Sequence, residues 1–273
     1  MSILASCPNN TNSAKVVTVA ETKLNVSYGK DSLQKMDIYL PAGRSTDATK
    51  AIVLIHGGGW NAGSKSDFAH YIDVFKKRLP DYAIFNINYR LANNTGNRFP
   101  TQENDVKSAV DFITDHAAEY IFNKDKMVLL GASAGAHLAL LQGYKYSDPK
   151  IKAVIDFFGP TDFMAMYNHP WHPMIPYLMQ MLMGASPAAN AAIYKDSSPI
   201  NFVTSTSAPT LILQGGSDKV VDPSQSKLLD EKLQKVGVIH ELVIYPKEGH
   251  GWYGANMNDS FDRIIAFLNK NVQ

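Results

Sequence analysis

The sequence predicts an α/β fold: a mostly parallel, twisted sheet of about eight strands with helices on both faces and a small cap insertion. Two observations carry this prediction. Short β-rich runs alternate with segments of helical periodicity, as is typical of parallel sheets, and runs such as AIVLI and TLIL are apolar without alternation. No internal repeat or low-complexity linker divides the 273 residues, so we expect a single domain over residues 1–273.

The predicted strands are rich in β-branched and aromatic residues and are bounded by turn-forming residues. They are Lys15–Ala20, Lys35–Leu40, Ala51–His56, Ala83–Tyr89, Lys126–Gly131, Ala153–Phe158, Thr210–Gln214 and Glu241–Tyr245. No helical pattern separates the early strands, so that edge of the sheet is expected to be antiparallel.

The predicted helices lie between the later strands and follow the last one. They are Asp67–Leu79, Thr101–Tyr120, Ala134–Tyr146, Ser224–Val236 and Asp259–Asn271.

Residues 160–209 interrupt this alternation, because they contain no strand pattern. Six of the chain's ten methionines fall here, namely Met164, Met166, Met174, Met179, Met181 and Met183. Methionine suits adaptable apolar surfaces, so we interpret the stretch as a cap-like insertion over a binding cleft. A pair of ordinary packing helices would explain some of the same residues.

Composition excludes several classes of partner. The 26 basic and 25 acidic residues leave a formal net charge of +1, and no segment interleaves basic with aromatic residues, which argues against nucleic acid. No apolar stretch approaches the roughly 20 residues that a membrane-spanning helix needs.

The N-terminus carries a second, weaker signal. Residues 1–14 are expected to form a flexible tail, and the segment Leu4–Cys7 (LASC) resembles the lipobox of bacterial lipoproteins. The charged start and apolar region of a signal peptide do not precede it, so cytoplasmic and exported locations both stay open. Cys7 is the only cysteine, and therefore no intrachain disulfide can form.

The segment Gly131–Gly135 (GASAG) fits the pattern G-x-S-x-G directly after an apolar strand and before a helix. Small residues could simply pack a tight turn. The same pattern is also that of a nucleophile elbow, in which a serine stands on a strained turn and its neighbours must be small. We therefore interpret Ser133 as a candidate nucleophile.

The segment His56–Trp60 (HGGGW) closes the strand AIVLI. Consecutive glycines expose backbone N–H groups, which could form an oxyanion hole for charge that develops in the transition state. The expected donors are Gly58, Gly59 and Ala134, with Gly57 as an additional donor. We expect His56 to fix this loop rather than to act as a base.

Two further residues follow separate predicted strands. Asp218 comes after TLILQ, and His250 lies between glycines after the last strand. Asp222 competes with Asp218, but it stands before Pro223 and is expected to cap the next helix. Ser133, Asp218 and His250 would thus meet at one edge of the sheet and form a Ser-His-Asp triad.

This chain order, with the elbow and the glycine loop, resembles the α/β-hydrolase fold. Within that fold the chain is similar to carboxylesterases of the hormone-sensitive-lipase and feruloyl-esterase-like (BD-FAE) groups. The resemblance runs from Lys35 to Val272 and includes HGGGW, NYRL, FPTQENDVKSAVDFI, GASAGA, SDKVV and GHGW. Ala136 departs from it, because many relatives have glycine there; this affects helix packing more than chemistry.

The resemblance implies a serine carboxylesterase that works through an acyl-enzyme without a cofactor or metal. Its partner would be a small-molecule ester, either a short-chain ester or an acetylated or feruloylated carbohydrate, and a homodimer is compatible with the sequence. An arylformamidase-like amide hydrolase is the alternative, and a non-catalytic binding module would be expected to lack a triad member. The expected substrate-binding residues are Trp60, Trp171, Met174 and Tyr177.

Other polar residues are given supporting roles. Arg90 and Asp105 are expected to form a polar network, and His137, one turn past the candidate nucleophile, is expected to be structural. His169 and His172 could suggest a metal pair, but the proline between them breaks the helix that would align them, and no carboxylate lies close by.

Overall fold

The computed structural model describes residues 18–93 and 96–273. The predicted tail at 1–14, the Leu4–Cys7 motif and residues 15–17 of the first predicted strand lie outside this range. The strands within it are β1 (Glu21–Ser27), β2 (Lys35–Leu40), β3 (Lys50–Ile55), β4 (Tyr82–Ile87), β5 (Met127–Ala132), β6 (Ala153–Phe157), β7 (Thr210–Gly215) and β8 (His240–Tyr245).

The α-helices of the same residues lie between and after these strands. They are α1 (Ile72–Arg78), α2 (Thr101–Asp115), α3 (Ala117–Tyr120), α4 (Ala134–Lys145), α5 (Phe163–Asn168), α6 (Ile175–Met183), α7 (Ala191–Asp196), α8 (Ser224–Val236) and α9 (Gly254–Asn271). Two 3-10 helices span Lys65–Tyr71 and Pro199–Phe202. No helix among the described residues is both long enough and apolar enough to cross a membrane.

The strands form one sheet in the order β1-β2-β4-β3-β5-β6-β7-β8. Strands β1 and β2 pair antiparallel, as do β2 and β4, and the other pairs are parallel. The predicted eight-stranded, mostly parallel sheet with an antiparallel edge is therefore confirmed. Because the carboxyl ends of the parallel strands share one edge, the segments that follow them meet there.

Both faces of the sheet are buried, which explains the apolar runs without alternation. Along β3, Val53 and Ile55 pack in the cluster that contains side chains of α2, α4 and α8. Ile52 and Leu54 pack on the other face with side chains of α1 and α9. The core thus lies in two layers on either side of the sheet.

The first strand differs from its prediction. The described residues of the predicted strand, Thr18–Ala20, are not in a strand, and β1 follows at Glu21–Ser27. This edge strand alternates half-buried and exposed positions and has a register shift between Lys23 and Val26. Its polar, irregular sequence has little of the apolar signal by which buried strands are recognised.

Three predicted helices also have different limits. The helix predicted at Asp67–Leu79 is a 3-10 helix capped by Ser64 that continues into α1. The helix predicted at Thr101–Tyr120 is divided at His116 into α2 and α3, and α9 begins at Gly254, five residues before the predicted start. The N-cap Ser64, the turn at His116 and the first helical residue Gly254 mark these limits.

The insertion at 160–209 contains α5, α6, α7 and the second 3-10 helix, and no strand. Several of its methionines are buried: Met166 is 7% exposed, Met179 2% and Met183 4%. Ordinary packing therefore accounts for part of the methionine enrichment. Met174, in contrast, is 48% exposed.

Candidate active site

The nucleophile elbow lies between β5 and α4. Ser133 has φ 55° and ψ −120°, a strained conformation for a residue with a side chain. A Cβ at Gly135 would lie 2.0 Å from the Ile55 carbonyl oxygen, and one at Gly131 would lie 2.2 Å from the Gly135 oxygen. Only glycine permits these approaches, so the small residues around Ser133 are a steric requirement of this turn.

A continuous chain of hydrogen bonds joins the three predicted triad residues. His250 Nε2 lies 2.9 Å from Ser133 Oγ, and His250 Nδ1 lies 2.7 Å from Asp218 Oδ2. Because the Asp218 carboxylate accepts from Nδ1–H, Nε2 is the ring nitrogen that is free to accept the serine proton. The structure thus brings together residues separated by up to 117 positions.

Asp218 is enclosed, and each of its oxygens has partners. Its side chain has no exposed surface, and Oδ1 accepts the N–H groups of Val220 at 2.7 Å and Val221 at 3.0 Å. Gln214 Nε2 donates to Oδ2 at 3.2 Å. Burial alone would raise the pKa of Asp218, but the hydrogen bond and charge of His250, with the two backbone donors, outweigh it and lower that pKa.

The competing aspartate has the capping position that the sequence predicts. Asp222 Oδ1 accepts the N–H of Ser224 at 2.9 Å, at the start of α8. Among the described residues, the carboxylate that contacts His250 is that of Asp218.

The glycine loop presents its backbone to the same edge of the sheet. Gly58 and Gly59 have φ values of 104° and 57°, and a Cβ at Gly58 would lie 2.2 Å from the Ala62 oxygen. Within residues 18–93 and 96–273, no hydrogen bond engages the N–H groups of Gly58, Gly59 or Ala134. A Cβ at Gly57 would lie 3.3 Å from Ser133 Cβ, so the loop runs directly beside the elbow.

Two buried aromatic residues fix the start of this loop. His56 stacks on Tyr89, with 4.2 Å between ring centroids, and its Nδ1 donates to the Gly57 carbonyl oxygen at 2.8 Å. Tyr89 Oη donates to the His56 oxygen at 3.0 Å. Burial lowers the pKa of His56. The contacts match the predicted supporting role of this histidine.

Trp60 links the loop to the rest of the fold. Its side chain is buried, and its Nε1 donates to His137 Nδ1 at 3.1 Å. His137 Nε2 in turn donates to the Ser197 carbonyl oxygen at 2.7 Å, at the end of α7. Burial lowers the pKa of His137 to about 3, so the ring is neutral and can accept from one side and donate on the other.

The predicted polar network also forms. Arg90 Nε and Nη2 lie 2.9 Å and 2.6 Å from the two oxygens of buried Asp105, and Gln34 Nε2 donates to the same carboxylate at 2.8 Å. Arg90 follows β4 and Asp105 lies in α2, and the hydrogen bonds of this network do not include Ser133, Asp218 or His250.

Phe158 is a neighbour of the site that the sequence reasoning missed. It follows β6 with φ 47°, and its ring centroid lies 4.5 Å from that of His250. It also packs edge-on against Trp252. The dipeptide FF before Gly159 carries no motif, and only the position of β6 next to β5 could have indicated this contact.

A cavity of about 240 Å³ adjoins His250 on the side of α1 and α9. It is lined by Gly57, Asp67, Phe68, Tyr71, Phe75, Leu130, Ala132, Phe157, Phe158, His250, Gly251, Trp252, Tyr253, Met257 and Phe261. We call this space the aromatic cavity. None of the four residues predicted to bind substrate is among its walls.

Those four residues lie elsewhere around the site. Trp60 is 8% exposed and packs against His137 and Phe163 behind the loop. Trp171 Nε1 donates to the Lys219 carbonyl oxygen at 3.0 Å, next to Asp218. Met174 and Tyr177 are largely exposed on the insertion. Their contact with substrate stays a prediction.

Comparison with known proteins places this geometry in context. The BD-FAE family profile matches residues 36–233. The chain is 27% identical over 234 residues to LipM, a probable carboxylic ester hydrolase of Mycobacterium tuberculosis, a match that covers 81% of this chain and 53% of LipM. It is 25% identical over 263 residues to the esterase LipC of the same organism, covering 90% and 64% of the two chains.

The chain therefore spans between about half and two thirds of the length of these curated relatives. Among solved structures, a truncated carbohydrate esterase from gut microbiota superposes with a TM-score of 0.78 at 26% identity. That superposition covers 93% of this chain and 96% of the other. The shared architecture extends over nearly all of both chains.

Proposed function

Since the chain belongs to the BD-FAE family, we propose that it is a serine carboxylesterase that hydrolyses short-chain carboxylic esters, with Ser133, His250 and Asp218 as catalytic residues. The observation that carries the proposal is the unbroken hydrogen-bond chain from Ser133 Oγ through His250 to Asp218. This chain of hydrogen bonds supplies the nucleophile. The adjacent backbone N–H groups of Gly58, Gly59 and Ala134, which have no partner within residues 18–93 and 96–273, supply the oxyanion hole.

In the first step, His250 Nε2 takes the proton of Ser133 as Oγ attacks the ester carbonyl carbon. The oxyanion accepts hydrogen bonds from Gly58, Gly59 and Ala134. Asp218, held ionised by its four donors, stabilises the imidazolium and keeps Nδ1 protonated. The leaving oxygen then takes the proton from Nε2.

In the second step, water attacks the acyl carbon and gives a proton to His250 Nε2. The bond from that carbon to Ser133 Oγ then breaks, Oγ takes the proton back from Nε2, and the acid is released. LipM and LipC carry the names of ester hydrolases, and the solved carbohydrate esterase makes acetylated or feruloylated sugars the alternative to esters of simple alcohols. In this proposal the chain acts as one domain, with residues 160–209 as the cap.

A covalent probe tests the proposal directly. A small p-nitrophenyl alkylphosphonate should form one adduct per chain, on the peptide that contains Ser133, and should abolish hydrolysis of p-nitrophenyl acetate. Ser133→Ala should lose at least about a thousandfold in kcat, since removing the nucleophile of a triad costs more than this elsewhere.

Ser205→Ala is the matched control, because Ser205 is exposed and lies before β7, at the opposite end of that strand from Asp218. An adduct on another residue, or an S133A variant that keeps a tenth of the wild-type kcat, would refute the assignment. Faster turnover of N-formylkynurenine than of any ester would favour the amide hydrolase instead. Sedimentation equilibrium measures whether the predicted homodimer forms.

A further inference from the structure

The aromatic cavity has a wall made almost entirely of apolar side chains. Phe75, Phe157, Trp252 and Phe261 are buried, and Tyr253 stands at the rim with 84% of its surface exposed. The cavity is smaller than the roughly 300–1,000 Å³ of pockets that hold drug-sized ligands, so it suits one ring or a short chain. It opens beside the triad, because His250 and Gly57 are among its walls.

The position of the cavity relative to His250 indicates which half of an ester it receives. When the C–O bond of the tetrahedral intermediate breaks, the leaving oxygen takes its proton from His250 Nε2, so the alcohol must lie on the His250 side of Ser133. The cavity is walled by His250 and by the next three residues, Gly251–Tyr253. Ala132, directly before the nucleophile, completes that side.

Few polar groups in the wall are free to pair with a ligand. Trp252 Nε1 donates to Ser260 Oγ at 2.9 Å, and Asp67 Oδ2 accepts the Ser64 N–H at 3.2 Å. His250 is committed to Ser133 and Asp218. Beyond these, the polar side-chain atoms of the wall without a hydrogen bond to the described residues are Asp67 Oδ1 and the hydroxyls of Tyr71 and Tyr253, which are fewer than the hydroxyls of a sugar. A sugar would bury several hydroxyls without partners, each at a cost of about 1–3 kcal/mol.

We propose that the aromatic cavity binds the leaving alcohol of the ester, and that it selects compact alkyl or aryl alcohols over sugars. This inference rests on the proposed esterase function and names its substrate class. Phe68, Tyr253 and Met257 are the specificity-determining residues, because each is a large apolar or aromatic side chain of the wall that is at least partly exposed. In the reaction, the bond from Ser133 Oγ to the acyl carbon forms, the bond from that carbon to the alkoxide oxygen breaks, and the alcohol departs with the Nε2 proton.

The experiment varies the two halves of the ester separately. One series keeps the acetyl group and changes the alcohol: methyl, n-butyl and benzyl acetate and a peracetylated glucose. The other keeps methanol and changes the acid from acetate to hexanoate. We measure kcat/KM, which reports acylation, and kcat, which should converge across the acetates wherever deacylation of the shared acetyl-enzyme is slow.

The wild-type protein should prefer benzyl and butyl acetate over methyl acetate by at least about fivefold, as expected for burying several carbons. Tyr253→Ala and Met257→Ala should each reduce the benzyl-to-methyl ratio severalfold and leave the acyl series unchanged. Ile265→Ala is the control for M257A, because it is a half-buried residue of the same helix outside the cavity wall; the exposed Ile239 controls Y253A in the same way.

Three results would overturn the inference: equal kcat/KM for all acetates, highest kcat/KM for the sugar acetate, or Y253A and M257A effects that follow the acid instead of the alcohol. A protein without any ester turnover would refute the proposed function. In that case saturation-transfer NMR with benzyl alcohol alone tests whether the cavity binds an alcohol. Binding that Y253A and M257A weaken would support the inference. No binding, or binding equal to that of glucose, would refute it.

Discussion

The aromatic cavity and the insertion at 160–209, which we call the two flanks of the site, are built in different ways. The aromatic cavity is assembled from the Lys65–Tyr71 helix and, far along the chain, from the loop at Gly251–Tyr253 and the adjoining α9, and its floor is formed by buried aromatic side chains such as Phe75, Phe157 and Phe261. The insertion at 160–209 is one continuous stretch, and at the start of α6 its N-cap residue Met174 and the helical Tyr177 and Leu178 are 48%, 58% and 45% exposed. A local excess of methionine marks where apolar side chains are dense along the chain, whereas a cavity is made by the topology that brings distant segments together.

The largest expected effect tests whether both flanks serve one centre. Asp218→Asn should lower kcat by about 10⁴-fold for every ester, whichever half is varied, because an amide no longer holds His250 in the required tautomer. Steady-state kinetics on both ester series measure this.

Asp222→Asn is the matched control. The Asp222 carboxylate accepts the Ser224 N–H, and an asparagine oxygen can accept the same bond. The kcat of D222N should therefore stay within about threefold of wild type. The reverse ranking would move the catalytic acid to Asp222. A loss in D218N that affected one ester series alone would mean that the two flanks act independently.

The next effect concerns the pH dependence of stability and arises from Asp156, a buried carboxyl shortly before the insertion. Asp156 in β6 has no exposed surface, and its Oδ1 accepts the Gly159 N–H at 2.7 Å, just before the insertion begins. Within the described residues, Oδ2 has no hydrogen-bond partner. Burial raises the pKa of Asp156 to about 7.

Because the folded carboxyl keeps its proton to higher pH than the unfolded one, the unfolded state binds fewer protons between about pH 4 and pH 7. Stability should therefore fall as pH rises through this window, by at most about 4 kcal/mol. Asp156→Asn stays neutral and should flatten that slope, which urea unfolding at each pH measures. Asp125→Asn, an exposed carboxylate, should keep the wild-type slope. An unchanged slope in D156N would show that this carboxyl ionises normally.

The smallest effect distinguishes the two flanks by substrate. Trp171 lies next to the Asp218 loop, so Trp171→Ala should shift the preferred acyl length, for which we expect acetyl to butyryl in the wild type, by up to about 0.8 kcal/mol per methylene. The benzyl-to-methyl ratio of the alcohol series should not change. Leu24→Ala, an exposed residue of β1, is the control. If W171A changed kcat/KM in the alcohol series alone, the insertion would receive the alcohol of the ester and the aromatic cavity would not.

The elements with strict local requirements could be predicted from sequence. Gly131 and Gly135 on either side of Ser133 leave no room for a Cβ, and the apolar strands of the parallel sheet fix the edge to which Asp218 and His250 belong. These constraints leave a pattern in adjacent residues.

The other features depend on contacts between distant segments and leave no such pattern. Phe158 reaches His250 only because β6 lies beside β5, and β1 is an irregular edge strand without an apolar run. The aromatic cavity needs the Lys65–Tyr71 helix opposite α9, and nothing in either segment alone specifies that pairing. The hydrogen bond from the Trp60 indole to His137 likewise joins residues that are far apart in sequence, and no motif indicates it.

The chain of contacts from Trp60 through His137 to Ser197 has a consequence for engineering. A chimera that exchanges residues 160–209 for the corresponding stretch of another family member would keep Trp60 and His137 but replace the carbonyl that His137 Nε2 contacts. If the graft supplied no acceptor there, the buried Nε2–H of His137 would have no hydrogen-bond partner. His137 would then hold Trp60, and with it the glycine loop, less firmly, although no residue of the loop had been altered. Grafts that end before Ser197 retain the host's own acceptor and are the better starting point for exchanging caps.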